Sequence, residues 1–380
     1  MRQGPRKIFI TTVYCLGVLV FFEATARCVL WSDTGFRWIV GEPWWTEDET
    51  AWRLRFVHRQ SGKSPISYYL DVYHPTRGWA LRPGLSRVAA FNNKILSSND
   101  RGLRGSSDHA YEKPLGTIRI LTFGDSFTFG EEVSDDQTWT YYLEKLLPRS
   151  EVINFGVHGY GHDQMLLYLR EEGIKYHPDI VILGFLSMDM QRNVLSFRDY
   201  AKPRFVLDGG QLVLTNTPVP RIEETLAREP WRSKFLDVLT MLRRRYRERF
   251  GELEIEMKQV TIALLDEIVN VIRTAGAVPI FVYLPSFDEI TRAEMDMSDG
   301  ERFFFSFCRE RGIQSIYLQH FFLEKLERGV DLNTISHWGP EEHRTAAEGI
   351  RAYLVGHGVV PLSRSAPRPA DDGHSQQSIP

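Results

Sequence analysis

Five short apolar runs, Ile118 to Phe123, Val152 to Phe155, Ile180 to Leu183, Val278 to Tyr283 and Ile313 to Leu318, constrain this chain more than any other feature. They are rich in Val and Ile and too short for helices, so they read as strands buried on both faces of a parallel sheet. Between them lie stretches of helical period. In the clearest, Val260 to Ala275, Ile262, Leu265, Ile268, Val269 and Ile272 share one face and Gly276 stands near the end. This alternation predicts a doubly wound, three-layer α/β/α fold with a five-stranded parallel, flavodoxin-like sheet, in which ligands bind at the carboxyl ends of the strands.

The first of these runs leads straight into chemistry. Arg119-Ile-Leu-Thr-Phe-Gly-Asp-Ser-Phe-Thr-Phe-Gly130 ends a strand in a Gly-Asp-Ser turn and leaves the hydroxyl of Ser126 as a candidate nucleophile. A serine hydroxyl is a weak nucleophile at neutral pH. It needs a base, a group that orients the base, and N–H donors aimed at a developing oxyanion. Two downstream blocks offer such partners: Asn154-Phe-Gly156-Val-His-Gly159-Tyr-Gly161 after the second strand, and Ser336-His337-Trp-Gly-Pro-Glu-Glu-His343 before an Ala-rich helix. Asp125 is expected to bond the backbone of its own turn. His158 and His162 are expected to fix the loop or line the pocket.

These blocks, in this order from about Thr117 to Val355, resemble the SGNH, or GDSL-type, hydrolase superfamily. The resemblance implies that Ser126 is the nucleophile and gives its N–H to the oxyanion hole, that Gly156 gives a second N–H, and that His337 is the general base. It implies hydrolysis of a carboxylic ester through an acyl-enzyme, with no metal and no organic cofactor. The expected substrate is a small acyl group on a cell-surface or exopolysaccharide glycan. An O-acyltransferase using the same residues and a non-catalytic glycan-binding domain are the alternatives. Two positions depart from the family pattern. In Phe185-Leu-Ser-Met-Asp-Met190 the place of the usual asparagine donor is taken by Met188, which cannot donate. The triad aspartate expected two or three residues before the histidine is replaced by Thr334 and Ile335. Asp331 is the nearest upstream carboxylate and the candidate orienting acid, with Asp189 and a plain Ser-His dyad as the other readings.

A chain of 380 residues accommodates one α/β core with insertions. Its net charge of −3 supplies no field favouring nucleic acid, so no nucleic-acid partner is expected. Three cysteines, Cys15, Cys28 and Cys308, write neither a disulfide framework nor a zinc site.

Arg2, Arg6 and Lys7 precede the charge-free run Ile8 to Phe22, followed by Glu23-Ala-Thr-Ala-Arg27 and a further apolar Cys28-Val-Leu-Trp31. Residues 1–31 therefore read as an uncleaved signal anchor, with a cleaved signal peptide (Ala24-Thr25-Ala26 as cleavage site) the other reading. Cationic residues held inside predict a single-pass protein of the cell inner membrane with an extracytoplasmic, periplasmic catalytic part. Residues 32–116 are expected to form an irregular or β-rich lead-in. Its segments Arg77-Gly-Trp-Ala-Leu-Arg-Pro-Gly-Leu and Asn99-Asp-Arg-Gly-Leu-Arg-Gly105 resemble a bacterial membrane-anchored branch of the same superfamily. The hydrolase-like domain is placed at 117–360. A cap-like insertion at 191–251 is expected to hold a hairpin over Phe205 to Leu214 and polar helices over Glu223 to Phe250. The tail, 361–380, is expected to be disordered.

Overall fold

The computed structural model describes residues 5–40, 48–60, 67–292, 296–332 and 337–361. The five expected strands are present as β1 (Ile118–Phe123), β2 (Ser150–Asn154), β3 (Ile180–Phe185), β4 (Val278–Tyr283) and β5 (Gln314–Tyr317). They form one parallel sheet in the order β5-β4-β3-β1-β2. Thr122 pairs with Asn154 on one side of β1 and Phe123 with Leu183 on the other. The chain thus leaves β1 for one flank of the sheet and returns to the other, which makes the carboxyl end of β1 the switch point where ligands bind in such sheets.

Both faces of the sheet are covered, as the runs of Val and Ile require. Leu121, Phe123, Val181, Leu183, Phe185, Phe281 and Tyr283 face one core, covered by helices His162–Glu171, Glu252–Thr274 and Asp299–Glu310. Their alternates Ile120, Ile180, Ile182, Ile280 and Val282 face the other, under Trp139–Leu146 and Pro340–Gly356. Every residue of β3 is buried, so a large-to-small change there costs about 2–5 kcal/mol. The helix read over Val260 to Ala275 begins earlier, at Glu252. It buries Leu253, Val260, Leu264, Leu265, Ile268, Val269 and Ile272 and stops before Gly276, whose φ of 79° suits glycine.

The lead-in is only partly as expected. From Asp71 onward it consists of short hairpins, Asp71–His74 with Gly78–Leu81 and Val88–Ala90 with Lys94–Leu96. Before that it is helical, over Asp33–Val40 and Glu49–Gln60. Asp48 accepts the N–H of Ala51 at 2.8 Å and so caps the second of these helices. The insertion holds the expected hairpin, Arg204–Asp208 with Gln211–Thr215, then helices Ile222–Arg228 and Lys234–Arg249. The Pro5–Trp31 helix contains a 25-residue stretch, Lys7–Trp31, long and apolar enough to cross a membrane, a test that a signal sequence also passes. The tail lies outside the described residues from 362 on.

Candidate active site

Ser126 stands at the carboxyl end of β1, at the start of the four-residue helix Ser126–Phe129. Asp125 caps that helix, its Oδ1 accepting the N–H of Phe127 at 3.0 Å. Gly130, at φ 83°, ends it. The carbonyls of Phe129, Gly130 and Val133 then converge on the guanidinium of Arg104, at 3.4, 3.3 and 2.9 Å. Arg104 is buried, pairs with Asp135 at 2.9 Å, and comes from the Asn99-to-Gly105 stretch of the lead-in. The Ser126 turn is therefore pinned at both ends.

The hydroxyl of Ser126 lies 2.9 Å from Nε2 of His337, across 211 residues of sequence. His337 sits just before Pro340–Gly356, and its neighbour Trp338 donates its indole N–H to the carbonyl of Pro285 at 3.2 Å. Phe127 packs against both rings, with centroids 5.3 Å from each. His343 is buried, accepts the N–H of Trp139 at 3.1 Å, and is pushed down to about 3 by burial, so it is a neutral structural group.

The candidate carboxylates differ in burial. Asp331 is exposed. Thr334, Ile335 and Ser336 lie outside the described residues. Glu131 Oε2 stands 3.8 Å from Nε2 of His337. Asp189 is fully buried but turned to Arg192, whose Nη1 also reaches Asp125 Oδ2 at 3.1 Å and the carbonyl of Tyr160 at 3.0 Å. Asp125 Oδ2 in turn accepts the hydroxyl of Ser126 at 3.3 Å. One arginine thus ties together the residue beside Ser126, the third block and the loop after β2. Asp125 bonds its turn as expected, and Arg192 was not singled out because nothing in its local sequence points to a partner 67 residues away.

Gly156 is the residue whose N–H the resemblance assigns to the oxyanion hole. Its N–H donates to Asn154 Oδ1 at 2.8 Å, so that donor is already engaged. A Cβ at Gly156 would fall 2.3 Å from the amide nitrogen of Phe129, so glycine here lets the loop close against the nucleophile helix. On the same loop, Gly159 adopts φ 75°, and among the described residues neither its N–H nor that of Ser126 has an acceptor. Met188 is 48% exposed, with its sulfur 3.8 Å from Arg192 Nη2. Ser187 is packed toward Gly300 and Tyr283.

The lead-in hairpin holds the loop after β2. Trp79 donates its indole N–H to the carbonyl of His158 at 3.1 Å, and Asp71 Oδ1 lies 2.8 Å from Nε2 of His158. Asp71 Oδ2 also accepts the hydroxyl of Tyr200 at 3.0 Å. Burial alone would lower the pKa of His158. The adjacent Asp71 carboxylate, with its hydrogen bond, outweighs that and lifts it to about 9. His162 is buried on Asn193 at 3.1 Å, and burial pushes it down to about 3. Both histidines are loop-holding groups. Among the described residues, no cluster of three or more His, Cys, Asp or Glu side chains is placed to hold a metal ion.

No family profile matches the chain, and no curated protein matches it. Among solved structures, the chain is similar to a member of the lipolytic G-D-S-L family from Veillonella parvula, at 13% identity and a TM-score of 0.37, covering 63% of this chain and 98% of that one. It is also similar to an acetyl xylan esterase, at 11% identity and a TM-score of 0.38, covering 63% and 100%. A two-domain esterase active on acetylated mannans is similar at 12% identity and a TM-score of 0.39, covering 67% and 53%.

Proposed function

We propose that this protein is a serine esterase that removes a small acyl group from a hydroxyl, as on an acylated cell-surface or exopolysaccharide glycan. The observation that carries this reading is the 2.9 Å contact between Ser126 Oγ and His337 Nε2 at the switch point of the sheet. Ser126 Oγ attacks the acyl carbon while its proton passes to Nε2 of His337. The ester bond breaks, and His337 returns that proton to the departing alkoxide. Water, deprotonated by the same nitrogen, then cleaves the acyl-enzyme and restores the Ser126 hydroxyl. The N–H of Ser126 and, in place of Gly156, that of Gly159 form the oxyanion hole, a reading supported by their lack of acceptors. A cavity of about 510 Å³ bordered by Met188, Met190, Met241 and Met257 lies between the third block and the insertion helix Lys234–Arg249.

The N-terminal helix anchors the protein in the inner membrane, with Arg2, Arg6 and Lys7 inside and the catalytic part in the periplasm. The test of the activity is a fluorophosphonate probe on the full chain, with release of acetate from an acetyl ester followed in parallel. Ser126→Ala and His337→Ala are expected to abolish both labelling and turnover with the fold intact. Retention of more than about one per cent of turnover by either variant overturns the assignment, because members of such a unit are individually costly.

A further inference from the structure

The charge-free run Ile8 to Phe22 is fifteen residues long, about 22 Å of helix at 1.5 Å per residue. A bilayer's hydrocarbon core is about 30 Å thick. If this helix spans, as the proposed topology has it, Glu23 and Arg27 reach the outer boundary of the core. The structure equips them for that depth. Glu23 accepts the hydroxyl of Ser233 at 2.7 Å and the backbone N–H groups of Lys234 and Phe235 at 3.1 and 3.0 Å. It pairs with Arg27 at 2.7 Å, and Arg27 donates to the carbonyl of Arg232 at 3.1 Å. Phe22 stacks on Phe235 with centroids 5.1 Å apart.

A carboxylate hydrogen-bonded to Ser233, Lys234 and Phe235 fixes those residues at its own depth. The insertion helix they begin therefore starts at the outer face of the bilayer. Its inward side buries Asp237 and Met241. On the outward side Leu236 and Leu239 are 59% and 43% exposed, and Trp231, just before the helix, is 89% exposed. An exposed tryptophan beside exposed leucines at this depth has the composition of a membrane-interface belt.

We propose that Trp231, Leu236 and Leu239 rest among the lipids of the outer leaflet, a second contact with the bilayer that the N-terminal helix crosses. The catalytic part is then held to the membrane through a clasped seam instead of hanging from a single helix. This inference rests on the spanning reading of Lys7–Trp31.

The test uses the full chain in phospholipid nanodiscs, with Cys15→Ser and Cys28→Ser removing the exposed thiols and the buried Cys308 left in place. Nitroxides are attached singly at Trp231→Cys, Leu236→Cys, Leu16→Cys and Leu115→Cys, and their collision rates with oxygen and with a water-soluble nickel chelate are compared. The expected result is oxygen-favoured collision at positions 231, 236 and 16, and nickel-favoured collision at the fully exposed Leu115 position. Nickel-favoured collision at 231 and 236 with position 16 still in lipid overturns the inference and leaves the span standing. Nickel-favoured collision at position 16 as well overturns both. Spin–spin broadening at position 236 that disappears when the labelled chain is diluted with excess unlabelled chain assigns the face to a second copy and likewise overturns it. If Trp231→Cys does not fold, Leu239→Cys takes its place, with retained ester hydrolysis as the criterion of folding.

Discussion

Arg192 and Asp125 form an ion pair of 3.1 Å directly behind Ser126, with both side chains buried and a second carboxylate, that of Asp189, bonded to the same guanidinium nitrogen. Removing one partner of such a group leaves charge without compensation in a low-dielectric site.

Arg192→Met keeps the side-chain volume and removes the charge. It is expected to destabilise the fold by about 3–5 kcal/mol, read as a lower urea midpoint at unchanged slope. Arg192 Nη1 also holds the carbonyl of Tyr160, so turnover of the folded fraction is expected to fall too. A variant with wild-type stability would mean that the two carboxylates do not need the guanidinium.

Asp331→Asn separates two accounts of His337. An aspartate that orients a catalytic histidine costs about 10⁴-fold when made an asparagine. Asp331 is exposed to solvent, so kcat/KM on an aryl acetate is expected to stay within about threefold of wild type. A loss of several orders of magnitude would show that the 331–337 segment folds Asp331 onto the imidazole during turnover.

Met188→Asn places a side-chain amide where the chain has a thioether. Single oxyanion donors are worth about 10²–10³ in kcat, so turnover is expected to rise by about tenfold or more if position 188 faces the hole. An unchanged rate with intact folding would put Met188 off the donor position. The same change combined with Ser126→Ala is expected to be inactive.

The pair of Asp71 and His158 makes stability depend on pH. The pKa of His158 is raised from 6.5 to about 9 in the folded protein. The pair's contribution is therefore complete below about pH 6.5 and is lost as pH rises through 9. It amounts to at most roughly 3 kcal/mol. Asp71→Asn is expected to unfold at lower urea than wild type at pH 6, with the gap narrowing steadily toward pH 9.5. A gap independent of pH would mean that Asp71 acts only as a neutral hydrogen-bond partner.

The sheet was legible because strands buried on both faces leave uninterrupted apolar runs, and Ser126 and His337 were legible because each sits in a distinctive local block. What escaped the sequence depends on partners far along the chain. Trp52-Arg-Leu-Arg-Phe56 falls in the lead-in expected to be irregular or β-rich. In the structure it is a helix with every one of these residues buried. Arg53 pairs with Glu229 and Asp237, and Arg55 donates to the carbonyl of Val40 at 3.0 Å. When every face of a segment is buried, polarity no longer reports its period. Arg104 and Arg192 were missed for a related reason, since a cation's worth is set by distant carboxylates and carbonyls. The bond that engages the Gly156 N–H was not anticipated, although its acceptor, Asn154, lies only two residues back.

Trp79 and Asp71 grip the loop that follows β2, while Arg104 gathers three carbonyls behind the nucleophile helix. A cut at Gly116, where the α/β alternation begins, would strip these supports and leave His158, Phe129 and Asp135 facing solvent or each other. The smallest piece of this chain able to keep Ser126 and its loops in place begins at or before Asp71. The stretch that looks like a tether between the N-terminal helix and the α/β core is part of the wall around Ser126, and shortening it to bring the two closer would dismantle that wall before it moved it.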